Sequence, residues 1–534
     1  MKKSTFTTSA AASVALAVML AGCASEPDEE TGGSPDDGNG EEAAGEDGGE
    51  LTIGTQSDIV AIDPHLTNDV PSNNVQANIF DRLVYLDEDM ELEPMLATDW
   101  ELIEDDLWEF TLRDDVTFHD GSEFNAEVVK ANLERILDEE IASPRANVFE
   151  MIEKVTVEDE FTVRIKTEFP FGALDAHLAH IGGSMISGEA IEADYEAMEN
   201  GEDPGSYINN NSPGSGFFEL EERNSGDSIT LVRNDNYWGD PAKVDRVTFR
   251  VIGDEGQIIN SVEAGEIDIA FPIRPTDMSR LDANEDVELY VQDSVSMAYV
   301  GFNNQKEPYD DPRVRQALSM AIDKDSIIDN VLEGAADKAV GPISDNVFGF
   351  DENIEDLGYD PERARELLEE AGYADGFETS IWTNDTSERE DIAIIVQSQL
   401  EEIGVDVSIE VLEWGAYLDQ TAAGEHDMFI LGWSTGTGDA DVGLYSLFHS
   451  SQHGTGNKTF IENDELDQLL EDARMETDEA AREALYSETM QLLVDEAPML
   501  YLYHTDYLEG LGSHLSGYWK HPTGYSMLQN VTVQ

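Results

Sequence analysis

The chain has a single cysteine, Cys23, in 534 residues. A disulfide framework and a cysteine-built metal site are therefore excluded. Basic residues are scarce as well: 29 Lys+Arg stand against 116 Asp+Glu, a formal net charge of −87. A surface of that sign repels a phosphate backbone, which argues against nucleic acid as a partner. Beyond the N-terminal segment no run is apolar enough to cross a bilayer. Internal repeats are also missing. The acids are spread along the whole chain rather than gathered, which reads as a solvated surface suited to high salt, not as a cation-capturing site.

What is present begins with a targeting pattern. Lys2 and Lys3 precede an alanine-rich apolar run from about Ala10 to Ala21. The run is too short to span a bilayer and reads as a signal peptide over 1–22. Its end, Met-Leu-Ala-Gly-Cys at 19–23, resembles a bacterial lipobox, with Cys23 as the lipidated residue. The stretch 23–50 is acidic, rich in Gly and Pro and nearly free of large apolar residues, so it is expected to be a disordered tether. The folded body is expected to start near Leu51. At this length two or more lobes are needed to bury the apolar residues.

Within that body, strands are expected at Phe110–Leu112, Phe161–Ile165, Ile229–Val232, Val247–Val251, Ala298–Phe302, Ser408–Leu412 and Asp427–Leu431. Helices have clearer starts. Asp311-Pro312 and Asp360-Pro361 each place a capping acid before a first-turn proline, followed by apolar stripes at helical spacing. Gly372 is a natural stop for the second. A third helix is expected from about Asp478 to Glu496, ending before Pro498. Alternating strands and helices in the second half imply an α/β lobe.

One motif points to chemistry. Gly432-Trp-Ser-Thr-Gly436 matches the nucleophile elbow G-x-S-x-G, with Ser434 as nucleophile. Physics argues against it. An elbow serine opens a helix, and Thr435-Gly-Thr-Gly438 is a poor helix start, because glycine costs about 1 kcal/mol relative to alanine. Asp439, Asp441 and His449 could fill the remaining triad roles only by lying unusually close in sequence. A metal site from Asp439, Asp441, His449 and His453 lacks the spacing of known carboxylate loops. Neither a catalytic residue nor a cofactor is therefore assigned. A binding loop fits better, since open α/β sheets receive ligands at the carboxyl ends of their strands.

Five blocks carry a family resemblance. They are Leu96–Val129 with its Trp-Glu-Phe-Thr-Leu-Arg-Asp-Asp-Val-Thr-Phe-His-Asp-Gly core, Asn211–Ile252, Gly301–Asp323, Tyr359–Phe377 and Trp414–Trp433. In this order they resemble the solute-binding proteins of bacterial peptide- and nickel-type ABC importers, extracellular solute-binding family 5. The stretch from Gly432 to Ser451 and the ending Tyr518–Ser526 are most similar to the glutathione- and oligopeptide-binding branch.

The resemblance implies an α/β, two-lobed fold of the periplasmic-binding-protein type II class. Lobe I would hold 51–300 and 506–534, with an extra subdomain at about 86–210; lobe II would hold 301–505. It further implies a non-enzymatic, lipid-anchored receptor at the extracellular face of the cell membrane. Its partners would be a short or glutathione-like peptide and the permease and ATPase subunits of an ABC importer. Another oligopeptide or a metal chelate of the nickel type is the alternative cargo. Dipeptide-binding relatives carry an ammonium-holding aspartate where this chain has Gly436, and a carboxylate-holding arginine in the loop matching Thr383–Glu388. This chain has neither, although Arg389 is close by. The candidate ligand contacts are Thr435, Asp439 and Asp441 for an ammonium group, and Trp433, Tyr445, Trp382 and Asn384 for the walls. One of the two aspartates is expected to cap a helix starting near Val442. The loop Gln56–His65 is expected to line the cleft, and His119 to be a structural turn residue in a subdomain away from it.

Overall fold

The computed structural model describes residues 48–534. The signal segment, Cys23 and all but the last residues of the tether lie outside the described residues. Among the described residues no helix is long and apolar enough to cross a membrane.

The chain is organised by one large mixed sheet. Its strands run, edge to edge, 405–412, 377–384, 428–434, 287–302, 499–512, 269–271, 50–55, 246–251, 228–233 and 218–224, with 336–338 added against 499–512. Glu50–Thr55 lies between two parallel neighbours, and Leu51 and Ile53–Thr55 are buried.

At the centre, Val287–Phe302 and Met499–Gly512 form a long antiparallel pair. Their register breaks between Asp293 and Met297. On one side of the break Val287–Asp293 pairs with Asp506–Gly512, and Gly510 and Leu511 continue to Ile269–Phe271. On the other side Ser296–Phe302 pairs with Met428–Ser434. Each half-sheet has its own helices and cores. The pairing thus changes partners at 293–297 and 504–506. The first crossing falls before the 300/301 boundary expected from sequence, because Ser296 already pairs with Ser434.

A four-stranded antiparallel sheet, in the order 97–104, 107–112, 162–167 and 152–159, packs on helix Ala126–Ile136 over a separate core from Leu83 to Met185. This is the extra subdomain. Its core ends earlier than the expected 210, since Ile186, Ala190, Ile191 and Ile208 pack into the main core of the first half instead.

Helix starts follow their caps. Asp311, Asp360 and Asp478 each accept a hydrogen bond from a first-turn backbone N–H, worth about 1 kcal/mol apiece. Gly372, at φ +96°, ends the second of these helices in the left-handed conformation that glycine tolerates best. The third helix, Glu479–Glu496, ends at Ala497 just before Pro498.

Candidate functional site

Strand Met428–Ser434 ends at the junction of the two halves, and the loop beyond it borders a cavity of about 550 Å³. One wall is Gly432, Trp433, Ser434 and Gly436 with Trp414 and Leu418 of the helix Trp414–Ala422. The facing wall is Asn73, Arg145, Asn147, His180 and Tyr525. Thr455 and Lys458 close one side. The volume suits a small ligand held on most of its surface. Gly436 faces His180: a Cβ there would sit 3.1 Å from the ring Cδ2 and 3.2 Å from Nε2.

The residues expected from sequence divide into two groups. Trp433 lines the cavity, and its indole N–H is buried without a hydrogen-bond acceptor among the described residues. Ser434 also lines it. The others turn elsewhere. Thr435 is buried, with its hydroxyl against Gly443 of the next helix. Trp382 is core, its Nε1 donating to Ser380 Oγ at 3.2 Å. Asn384 accepts from Arg389 Nη1 at 2.8 Å. Tyr445 stacks on His449 at 4.3 Å, and the Arg474 guanidinium lies 4.0 Å from its ring centre.

The two aspartates require a correction. Asp439 caps helix Ala440–Phe448, accepting from Asp441 N at 2.9 Å. Its Oδ2 accepts from Arg482 Nη2 at 2.7 Å, and Tyr486 donates to Oδ1 at 3.3 Å. Burial works against the Arg482 charge, and Asp439 more than offsets it, so the guanidinium pKa lies above its ordinary value. Asp441 lies 3.2 Å from His177 Nε2 and 3.3 Å from Arg474 Nε. Burial pushes its carboxyl up, but Arg474 and His177 prevail and hold it below the usual range. Both side chains are 2 % exposed, and neither lines the cavity. Their charges are already matched, so the ammonium role expected from sequence is withdrawn. The His177–Asp441 contact joins the subdomain of the first half to the second half.

The loop Gln56–His65 also turns inward. Asp63 and His65 are fully buried against Arg135, and the cavity is bordered instead by Asn68 and by Val70 and Asn73 at the start of helix Val70–Ile79. His119 donates from Nε2 to Gly216 O at 3.0 Å, as a turn residue.

No triad assembles at Ser434. His449 Nδ1 meets Ser451 Oγ at 2.7 Å, and His453 Nε2 meets Ile461 O at 2.8 Å. The same contacts dissolve the four-residue metal site.

Among the described residues the carboxylates that do converge are Asp293, Asp337 and Asp506, with oxygens within 4.8 Å of one another at the register break. Burial, then Asp293 and Asp337, push Asp506 up to about 7. A folded-state pKa raised above 3.8 contributes stability below that value, and the contribution is lost as pH rises through about 7. Asp506→Asn is therefore expected to stabilise the protein at pH 8 by about 1–2 kcal/mol, after discounting for partial exposure, with no gain at pH 4. Thermal unfolding at the two pH values checks this.

The model for bacterial extracellular solute-binding proteins, family 5 Middle, matches residues 91–455. The chain belongs to this family. The glutathione-binding protein GsiB of Salmonella typhimurium is 32% identical over 489 residues, covering 89% of this chain and 93% of the relative. The Helicobacter pylori ABC transporter-associated periplasmic binding protein DppA, solved in complex with peptide STSA, superposes with a TM-score of 0.79 at 31% identity, covering 91% of this chain and 98% of that one. NikZ from Campylobacter jejuni in complex with Ni(L-His) gives a TM-score of 0.75 at 26% identity, covering 88% and 95%. The fold is thus the two-lobed α/β architecture of these family-5 binding proteins, and the family is one of solute-binding proteins rather than enzymes.

Sequence reasoning missed Arg145, His180 and Lys458 in the cavity wall. The available signal was rarity: a buried-looking arginine in Ser-Pro-Arg-Ala-Asn, in a chain with 29 bases, merited attention.

Proposed function

We propose that this protein is the ligand-capturing component of an ABC importer. It is held at the extracellular face of the membrane by a lipid on Cys23 and takes a short, glutathione-like peptide into the interlobe cavity. The carrying observation is the cavity itself. It draws polar and aromatic groups from both halves, so a bound peptide contacts both only when they are closed. The relatives named for glutathione and the DppA complex with a peptide support the ligand class. The closed form is then the one read by the permease and its ATPases.

Calorimetric titration of the full chain tests this, with glutathione, Ala-Ala-Ala, Ser-Thr-Ser-Ala and Ni(L-His) as injectants. At 100-fold excess over Kd a bound peptide is expected to add about 2.7 kcal/mol to stability. The peptide is expected back intact after incubation. Binding of the nickel chelate with no response to any peptide would reject the proposal, as would release of hydrolysis products.

A further inference from the structure

We infer that the cleft selects anionic peptides, those whose carboxylates outnumber their ammonium groups, and that it holds them through Arg145 from the first half and Lys458 from the second. The inference rests on the peptide-capture reading above and narrows its ligand class.

Acids make up 116 of the 534 residues, yet none lines the 550 Å³ cavity. Interlobe surfaces in this chain are not acid-free by default. A second cavity of about 490 Å³ has Glu91, Asp175, Asp439 and Glu479 in its wall. Only Glu150 stands in the open space adjoining the first.

The cations of the cleft are held by neutral groups. Arg145 donates from Nε to Thr67 O at 2.7 Å and from Nη2 to Asn73 Oδ1 at 2.8 Å. Burial lowers its pKa to about 10, which leaves it charged at neutral pH. The neighbouring Asp69, which caps the helix at Ser72 N, offsets part of that lowering. Lys458 donates to Thr455 O at 2.7 Å, and burial lowers its pKa too. A third cation, Arg389, comes within 3.9 Å of the Cβ position of Gly432 behind the wall.

The neutral polar groups also donate. His180 Nδ1 accepts from Gly182 N at 3.0 Å, so the ring proton sits on Nε2, the atom that faces Gly436. Burial, with Arg145 next, holds the ring well below its ordinary pKa and therefore neutral. Trp433 adds its unpartnered N–H. Arg145 is buried with Asp69 as its one nearby counter-charge, and a ligand carboxylate lowers the remaining cost of burying it. A ligand ammonium finds no matching anion here.

The net charge of −87 adds a kinetic signature. It repels an anionic peptide at long range, and salt screens that repulsion more than it screens contacts inside the cleft. Association with an anionic peptide is expected to speed up as salt rises.

Titration of the full chain with glutathione, Glu-Gly-Glu, their N-acetylated forms and Ala-Ala-Ala tests the inference. At least one of the two anionic peptides is expected to bind about 10-fold or more tighter than Ala-Ala-Ala, and N-acetylation to change its Kd by less than about threefold. Lys458→Gln is expected to weaken that anionic peptide by about 10–100-fold, the range of a hydrogen bond to a charged group. Gly436→Asp, whose Cβ would press to within 3.1 Å of the His180 ring, is expected to weaken it as well. Arg145→Gln repeats the test from the other half, and Lys458, on a partly exposed loop, keeps the result readable if that variant folds poorly. Ala-Ala-Ala binding as tightly as the acidic peptides, or loss of binding on acetylation, would overturn the inference and leave peptide capture standing. If none of the peptides bound, both would fall.

Discussion

Asp439→Ala is expected to cost about 3–5 kcal/mol of folding stability and to leave peptide affinity nearly unchanged. Removing the carboxylate strands Arg482, whose side chain is only 10% exposed, as an unpaired buried charge. It also removes the cap on helix Ala440–Phe448, worth about 1 kcal/mol, and the acceptor for Tyr486. Asp439→Asn keeps a capping side chain and is expected to lose less. The double variant Asp439→Asn with Arg482→Met removes the stranded charge and is expected to recover most of the loss, since replacing a whole buried pair is often neutral. Urea unfolding of the variants measures these costs, and titration with peptide measures binding. A stable Asp439→Ala protein that has lost peptide affinity about 30-fold would restore the ammonium role that sequence suggested.

The contrast between Asp439 and the helix caps shows what a linear reading can reach. Asp311 and Asp360 were legible as caps because each acts on backbone within three residues of itself. The strand ending at Ser434 and the loop beyond it were legible as a cleft edge for a similar local reason. Asp439 was visible as a loop acid near that edge. Its partner Arg482 lies on a later helix, and Asp441 takes His177 from the other half, so no local pattern could reveal that both charges are matched. The register break at Asp293–Met297 depends on the pairing of 287–302 with 499–512, again a property of distant segments. Arg145 and His180 were overlooked because the extra subdomain was expected to stand away from the cleft. The structure makes the 145 and 180 turns part of the cavity wall, held there by contacts such as Arg145 with Thr67 O.

Arg135→Met is expected to be the most destabilising single change, at or above the upper end of the about 3–5 kcal/mol seen for one broken buried ion pair. Arg135 donates from Nη2 to Asp63 Oδ2 at 2.7 Å and to Asp194 Oδ2 at 3.0 Å. From Nη1 it donates to Asp63 Oδ1 at 3.2 Å and to His65 Nδ1 at 2.9 Å. The two carboxylates and the guanidinium are 0–1% exposed, so the variant leaves two buried anions facing each other. Arg135→Lys restores the charge without the planar fork and is expected to recover only part of the loss. The damage is expected to reach the cleft, because His65 O accepts from Ser143 Oγ and Thr67 O from Arg145, and both contacts position the Asn68–Asn73 edge. The pH dependence separates this account from simple loss of packing. In the wild type, burial and then Arg135 hold His65 well below 6.5. A depressed folded-state pKa gives stability that is present above the unfolded value and is lost as pH falls. In Arg135→Met the neighbouring cation is gone and two anions remain, so a protonated His65 supplies the missing positive charge. The stability deficit of the variant is therefore expected to be smaller at pH 5.5 than at pH 8. Equal deficits at the two pH values, measured by urea unfolding, would reject the charge account and leave only the lost volume of the arginine side chain.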